Sequence, residues 1–316
     1  MTKVLFNAAG WEIGPWVQHF RDADPSLELS NSTAAADLAD VSYAMVWKPE
    51  PGLLGLCPNL QVVFNLGAGV DAILSDTTIP PALPIVRIVD PNMTERMSEW
   101  VVLQVLIHHR RALRYMEQQR QRIWRDRLDQ PAASAVSVGV MGLGALGSDA
   151  AQKLNLLGFD VAGWSRTPKS LTGIETFHGP DGLDRFLART EILVSILPLT
   201  PGTHGLIDRR LIAKLKRDGA LGGAYLVNCG RGLSQVTADI LAALNDGMLA
   251  GASLDVFEAE PLDPAHPIWS HPNVVITPHN AADSEPAALA RYIAGQIRRH
   301  REGKPLENLV DRARGY

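Results

Sequence analysis

The chain has 316 residues, of which 46% are hydrophobic and 20% charged, and its formal net charge is −4. That length calls for two domains, and the composition supplies sizeable cores and excludes a disordered chain. The small negative charge gives no footing for nucleic acid, and two cysteines, Cys57 and Cys229, exclude a disulfide framework and fit a reducing cytoplasm.

From Met1 the chain enters a β-rich run at once, without the apolar stretch of a signal peptide. The first strands are predicted at Lys3–Asn7, Tyr43–Trp47, Val62–Asn65 and Ile85–Ile88, with helical stretches near Trp16–Arg21 and Gly69–Leu74. A long helical segment follows, from about Glu99 to Gln119. Its apolar start, Trp100 to Ile107, is too short and too polar at its flanks to span a bilayer. Arginines recur near its end at 110, 111, 114, 120, 122, 125 and 127, which reads as a solvated helix end and a loop against a neighbouring subunit. His108 and His109 are predicted on the surface of this helix. The expected protein is cytoplasmic, with no membrane and no nucleic acid among its partners.

The pattern then restarts with strands at Val138–Met141, Asp160–Trp164, Ile192–Ile196, Tyr225–Asn228, Gly251–Val256 and Val274–Thr277, and a last helix at Glu285–Arg301. Short β runs alternating with helices predict an α/β protein of two Rossmann-like, doubly wound domains with parallel sheets. The expected division is discontinuous: 1–98 plus 286–316 for a substrate-binding domain, and 99–285 for a dinucleotide-binding domain.

The strand at Val138 runs into Gly142, Gly144 and Gly147, with Ala145 and Leu146 between the last two. Such a turn needs one glycine for the bend, one for close approach of a pyrophosphate and one for helix packing, and it aims a positive helix N-terminus at the phosphates. At the end of the next strand an NAD site places Asp or Glu, whereas this chain has Ser165, Arg166 and Thr167. A carboxylate would repel the extra phosphate of NADP, and a hydroxyl with a guanidinium would bind it, so NADP(H) is expected over NAD(H).

Three further landmarks fall at strand ends, where doubly wound sheets present functional groups. Asn228 and Cys229 lead into Arg231, held between Gly230 and Gly232 and able to offer a planar fork to a carboxylate. Asp255, Glu258 and Glu260 cluster after the next strand. Asp255 is placed to touch the nicotinamide side of a cofactor, and spacing does not choose between the two glutamates. His279 follows Pro278 at the end of the last strand. A 2-keto acid needs its carboxylate clamped, its carbonyl polarised and a proton delivered to oxygen. Arg231 suits the first two tasks and His279 the third, with a nearby carboxylate to stabilise the imidazolium. No zinc-ligand spacing, serine nucleophile elbow or Walker-type loop occurs, and no metal is expected.

As an ordered set, Gly142, Gly144 and Gly147, then Leu197 and Pro198 with Thr203, then Asn228, Gly230 to Gly232, Asp255 to Pro261 and Thr277 to His279, this sequence resembles the D-2-hydroxyacid dehydrogenases over essentially its whole length. Leu66 to Asp71, Trp164 to Thr167 and Asp311 to Tyr316 bring it nearest the glyoxylate/hydroxypyruvate reductase A branch. The resemblance implies two Rossmann-like domains with the active site in the cleft between them, and a homodimer. It implies that Arg231 binds the substrate, that His279 is the general acid and that Glu260 rather than Glu258 orients it. It also implies that Leu197, Pro198, Thr203, Asn228 and Cys229 border the cofactor, and that the amides of Ala68, Gly69 and Val70 anchor the substrate carboxylate. Trp47 is a candidate wall of the pocket. The activity so implied is NADPH-dependent reduction of glyoxylate or hydroxypyruvate. The other readings are a dehydrogenase for another D-2-hydroxy acid such as phosphoglycerate, and a non-catalytic NAD(P)-sensing interaction protein.

Overall fold

The computed structural model describes residues 1–126 and 129–315, so Arg127 and Tyr316, both named above, lie outside the described residues. The chain begins β1 (Thr2–Ala8), α1 (Gly14–Ala23), β2 (Leu27–Ser30), α2 (Ala35–Leu38), β3 (Val41–Trp47), β4 (Val62–Asn65), α3 (Asp71–Leu74) and β5 (Ile85–Arg87). These strands pair in parallel in the order β2-β1-β3-β4-β5. After α4 (Pro91–His109) and α5 (Ala112–Arg120) come β6 (Ser137–Met141), α6 (Ala145–Leu156), β7 (Asp160–Ser165), β8 (Glu175–His178) and α7 (Gly179–Arg189). Then follow β9 (Ile192–Ser195), α8 (Arg209–Ala213), β10 (Tyr225–Asn228), α9 (Thr237–Asn245), β11 (Gly251–Leu254), β12 (Val274–Ile276) and α10 (Pro286–Arg301). The second sheet is also parallel, in the order β12-β11-β10-β9-β6-β7-β8. Among the described residues no helix is long and apolar enough to cross a membrane.

The chain divides into two units, 1–93 with 284–316 and 94–283. The sequence-based bounds sit a few residues later at each crossing, because α4 runs through the first boundary without a break in its pattern. Both sheets are covered on both faces, so their inner strands are apolar on both sides. In β9, Ile192 and Val194 join one core layer while Leu193 joins the other; Tyr225 and Val227 of β10 likewise oppose Leu226. In the first unit, Val4 and Phe6 face the layer built with α1 and α10, and Leu5 faces the opposite one.

The structure departs from the predicted elements in three places. The edge strands β2 and β8 carry polar, half-exposed residues and show no apolar run. The single helix expected from Glu99 to Gln119 is two, because Arg111 adopts a left-handed backbone (φ +54°) that ends α4 and starts α5. His108 and His109 are not surface residues: they are 4% and 5% exposed. Their face of α4 packs inward, with the His108 ring 5.1 Å from Tyr225 and His109 edge-on to Phe159. By contrast, α5 has no buried residue and Trp124 beyond it is fully exposed.

Candidate active site

The switch point of the second sheet lies between β6 and β9, where the strand order reverses and crevices form at the carboxyl ends. Gly142 makes the turn there with φ +103°, and a Cβ on it would sit 2.7 Å from the Ile196 carbonyl oxygen. Gly147 lets α6 lie against that turn, since a Cβ would come within 1.9 Å of the Gly142 oxygen. At Gly144 nothing of the protein lies within 4 Å of a would-be Cβ. The exposed Gly144 and Ala145 therefore open the N-terminal end of α6, with Leu146 half-buried behind them. The geometry suits a diphosphate that approaches the backbone closely and meets the positive end of the helix.

At the tip of β7 the side chains behave differently from one another. Ser165 is buried and its hydroxyl donates to the Thr167 carbonyl at 2.7 Å. That bond shapes the turn at the tip of β7. Arg166, Thr167 and the nearby Lys169 are exposed. Lys169 had no marker in the sequence beyond its charge.

Other expected cofactor contacts carry structural bonds of their own. Leu197 is buried in the core, so only its backbone adjoins the glycine turn. Thr203 Oγ1 accepts from the Thr200 amide at 2.8 Å and donates to the Pro198 carbonyl at 2.7 Å, closing the loop after β9. The Asn228 side chain accepts from the Gly230 amide and donates to Gln235. Cys229 is buried with its thiol toward the Ser195 carbonyl, and burial pushes its pKa well up. Asp255 is 2% exposed and its carboxylate is tied into the neighbouring loop. One oxygen accepts from Thr277 Oγ1 at 2.5 Å and the Asn280 amide at 3.0 Å, and the other from the Ala281 amide at 3.1 Å.

What Asp255 holds is the turn bearing His279. The His279 amide also donates to the Asp255 carbonyl at 2.8 Å, and the residue sits at φ +56°. A left-handed non-glycine residue costs about 1 kcal/mol, which the Asp255 clasp offsets. His279 Nδ1 lies 2.8 Å from Glu260 Oε2, and Glu260 Oε1 accepts from the Phe257 amide at 3.1 Å. An ionised carboxylate only accepts, so Nδ1 carries the proton in this pair. The ambiguity between the acids resolves here. Glu258 caps α9 through the Thr237 amide and hydroxyl, and Glu260 pairs with the histidine. Arg231 is half-buried at the tip of β10, with Nη1 donating to the Gly230 carbonyl at 2.9 Å.

In the first unit, Ala68, Gly69 and Val70 form the turn after β4. Asn65 Nδ2 donates to the carbonyls of Gly67 at 2.6 Å and Gly69 at 2.8 Å, which fixes that turn's shape. Trp47, at the end of β3, is half-buried over Gly67, where a Cβ would meet its ring at 2.0 Å.

Residues 102–281 match the family model for the D-isomer specific 2-hydroxyacid dehydrogenase, NAD binding domain. The chain belongs to the D-2-hydroxyacid dehydrogenases. A glyoxylate/hydroxypyruvate reductase A from Yersinia enterocolitica is 37% identical over 99% of this chain and 100% of its own length. Among solved structures, the NADPH-dependent glyoxylate/hydroxypyruvate reductase of Sinorhizobium meliloti, in complex with NADP and sulfate, is 45% identical with a TM-score of 0.94 and full coverage of both chains. A probable 2-hydroxyacid dehydrogenase from Rhizobium etli, in complex with NADP, HEPES and L(+)-tartaric acid, is 46% identical with a TM-score of 0.92, again with full coverage of both. As a member of this family the protein is an oxidoreductase built on two parallel-sheet α/β domains.

Proposed function

We propose that the protein is an NADPH-dependent reductase of small 2-keto acids, with glyoxylate and hydroxypyruvate as substrates and the D-2-hydroxy acid as product. The observation that carries this reading is the Glu260–His279 pair, at 2.8 Å, on the sheet whose glycine turn is open at Gly144. The relatives named for these two substrates support the choice. When bound, the reduced nicotinamide supplies hydride to the carbonyl carbon. Arg231 binds the substrate carboxylate through its guanidinium fork and polarises the carbonyl. His279 Nε2 delivers the proton to the carbonyl oxygen, and Glu260 holds the charged ring in orientation through Nδ1. The amides of Ala68, Gly69 and Val70 serve as a second carboxylate anchor, and Trp47 limits substrate size.

The preference for NADPH rests on Arg166 and Thr167, exposed at the tip of β7 where no acid stands. Arg166→Ala is expected to weaken NADPH by about tenfold or more while NADH changes little, as loss of a charge-assisted phosphate contact requires. Fluorescence titration with both cofactors checks it, and equal losses would remove Arg166 as the clamp. For the reaction, NADPH oxidation is followed by absorbance with a panel of 2-keto acids. Absence of turnover with every member would overturn the reading. The exposed α5 and Trp124 also suit a second copy of the chain, so we assign a homodimer, which light scattering on the wild type and on Trp124→Ser tests.

A further inference from the structure

Arg231 is presented by a loop that closes on itself. Its first residue, Asn228, accepts from the Gly230 amide through Oδ1 at 3.1 Å and donates from Nδ2 to Gln235 Oε1 at 2.7 Å. Within the loop, Ser234 Oγ donates to the Arg231 carbonyl at 2.6 Å. Gln235 is 2% exposed, and an amide so deeply buried must find partners for its acceptor and both donors. Its Nε2 reaches Thr237 Oγ1 at 3.0 Å and the Val256 carbonyl at 3.1 Å. Thr237 in turn donates to Glu258.

The proton directions along this chain are forced. The Gly230 amide can only donate, which fixes the Asn228 side chain with Nδ2 toward Gln235. Gln235 must then present Oε1 to Asn228 and its donors to Val256 and Thr237, leaving the threonine hydroxyl to donate to the Glu258 carboxylate. The two ends of the chain lie on different strand tips. One is the Arg231 loop after β10. The other is the segment from Val256 to Glu258 after β11, whose Phe257 amide holds the Glu260 carboxylate at 3.1 Å. Gly232 presses directly on that segment, since a Cβ there would sit 1.8 Å from the Phe257 carbonyl oxygen.

We infer that Gln235 is a positioning residue for Arg231: it locks the arginine loop in register with the segment that carries Glu260, and so sets the substrate-binding fork against the proton-donating histidine. The inference rests on the reductase reading for the role of Arg231, but it can be tested by binding alone. The probe is oxamate, a carboxylate-bearing analogue of a 2-keto acid, titrated calorimetrically into NADPH-saturated protein.

Gln235→Leu is expected to weaken oxamate about tenfold while the NADPH dissociation constant moves less than about twofold, a split that general loosening of the unit would not produce. In an Arg231→Gln background the same change should add less than about twofold, because its effect acts through the arginine. Gln235→Glu retains the side-chain size but sets an acceptor against the Val256 carbonyl, and should reproduce the loss; it decides the matter if the leucine variant fails to fold by circular dichroism. Unchanged oxamate affinity, parallel loss of oxamate and NADPH, or losses that multiply in the double variant would each overturn the proposal. Should the wild type bind oxamate yet oxidise NADPH with no keto acid, the reductase reading falls and the cycle still decides the Gln235 role. A wild type that binds no oxamate overturns the positioning role, since no carboxylate clamp is then present to be positioned, while the keto-acid panel alone decides the reductase reading.

Discussion

His279 and His108 each hold one ring nitrogen 2.8 Å from an oxygen, a glutamate carboxylate in the first case and the Ser253 hydroxyl in the second. His279 keeps 25% of its side chain exposed, so its second nitrogen can meet a substrate, and its partner is an anion that stabilises a charged ring. His108 is enclosed between α4 and the sheet, where burial pushes its pKa down to about 4 and the ring stays neutral. Its partner can share one hydrogen bond but cannot compensate a charge. On the proposed reading, what suits His279 and not His108 to give up a proton is the charge of its partner and access to the outside. A hydrogen bond alone does not suffice.

The largest expected effect breaks the first half of that comparison. His279→Asn should lower kcat by about a thousandfold, within the range of a lost general acid, with NADPH affinity retained in a fluorescence titration. His108→Asn, measured alongside, should leave kcat/KM of the folded protein within about threefold, since the ring touches no reacting group. Glu260→Gln should fall between them. Neutralising the partner leaves Nδ1 hydrogen-bonded but removes the counter-charge, so kcat should drop roughly tenfold to a hundredfold with little change in the keto-acid KM.

The second half is sharpened by pH. A histidine whose folded pKa lies near 4, against 6.5 for the free group, binds fewer protons folded than unfolded between those values. Its contribution is fully present above pH 6.5 and is lost as the pH falls toward 4. The amount at stake is roughly 3 kcal/mol. Urea unfolding of the wild type and of His108→Gln from pH 7.5 to 4.5 should show the wild type losing stability more steeply, and parallel curves would contradict the assignment. The smallest effect expected is that of Ser253→Ala, about 1 kcal/mol at pH 8 for one lost hydrogen bond with the ring still neutral.

How far the sequence carried these conclusions depended on where each residue lies. The inner strands β9 and β10 are apolar on both faces, so their runs stand out without any knowledge of packing. The edge strands β2 and β8 bury less and alternate weakly, and they have no such run to show. Arg231, Glu260 and His279 stood out because each lies in the loop after a strand, within an ordered motif. The choice of Glu260 over Glu258 came from family resemblance, and only the Thr237 and His279 contacts gave it a physical reason. Asp255, Asn228 and Ser165 were identified as cofactor contacts, and the structure adds a scaffold task to each that the motif did not announce. A motif marks a residue near a cofactor without saying whether it faces the ligand or ties down the loop that does. Gln235 left no trace at all, because a buried amide seven residues beyond Asn228 becomes meaningful only once the loop has closed.

The open space at Gly144 separates two kinds of selection that a glycine fingerprint ordinarily merges. Alanine at position 142 or 147 collides with the protein's own backbone, whereas alanine at 144 meets nothing within 4 Å. A library screened only for folded protein should therefore hold positions 142 and 147 to glycine and let 144 drift. The same library screened for growth on the enzyme's activity should recover glycine at all three. The middle glycine of the turn is then a record of the ligand written into the chain, and the outer two are a record of the fold.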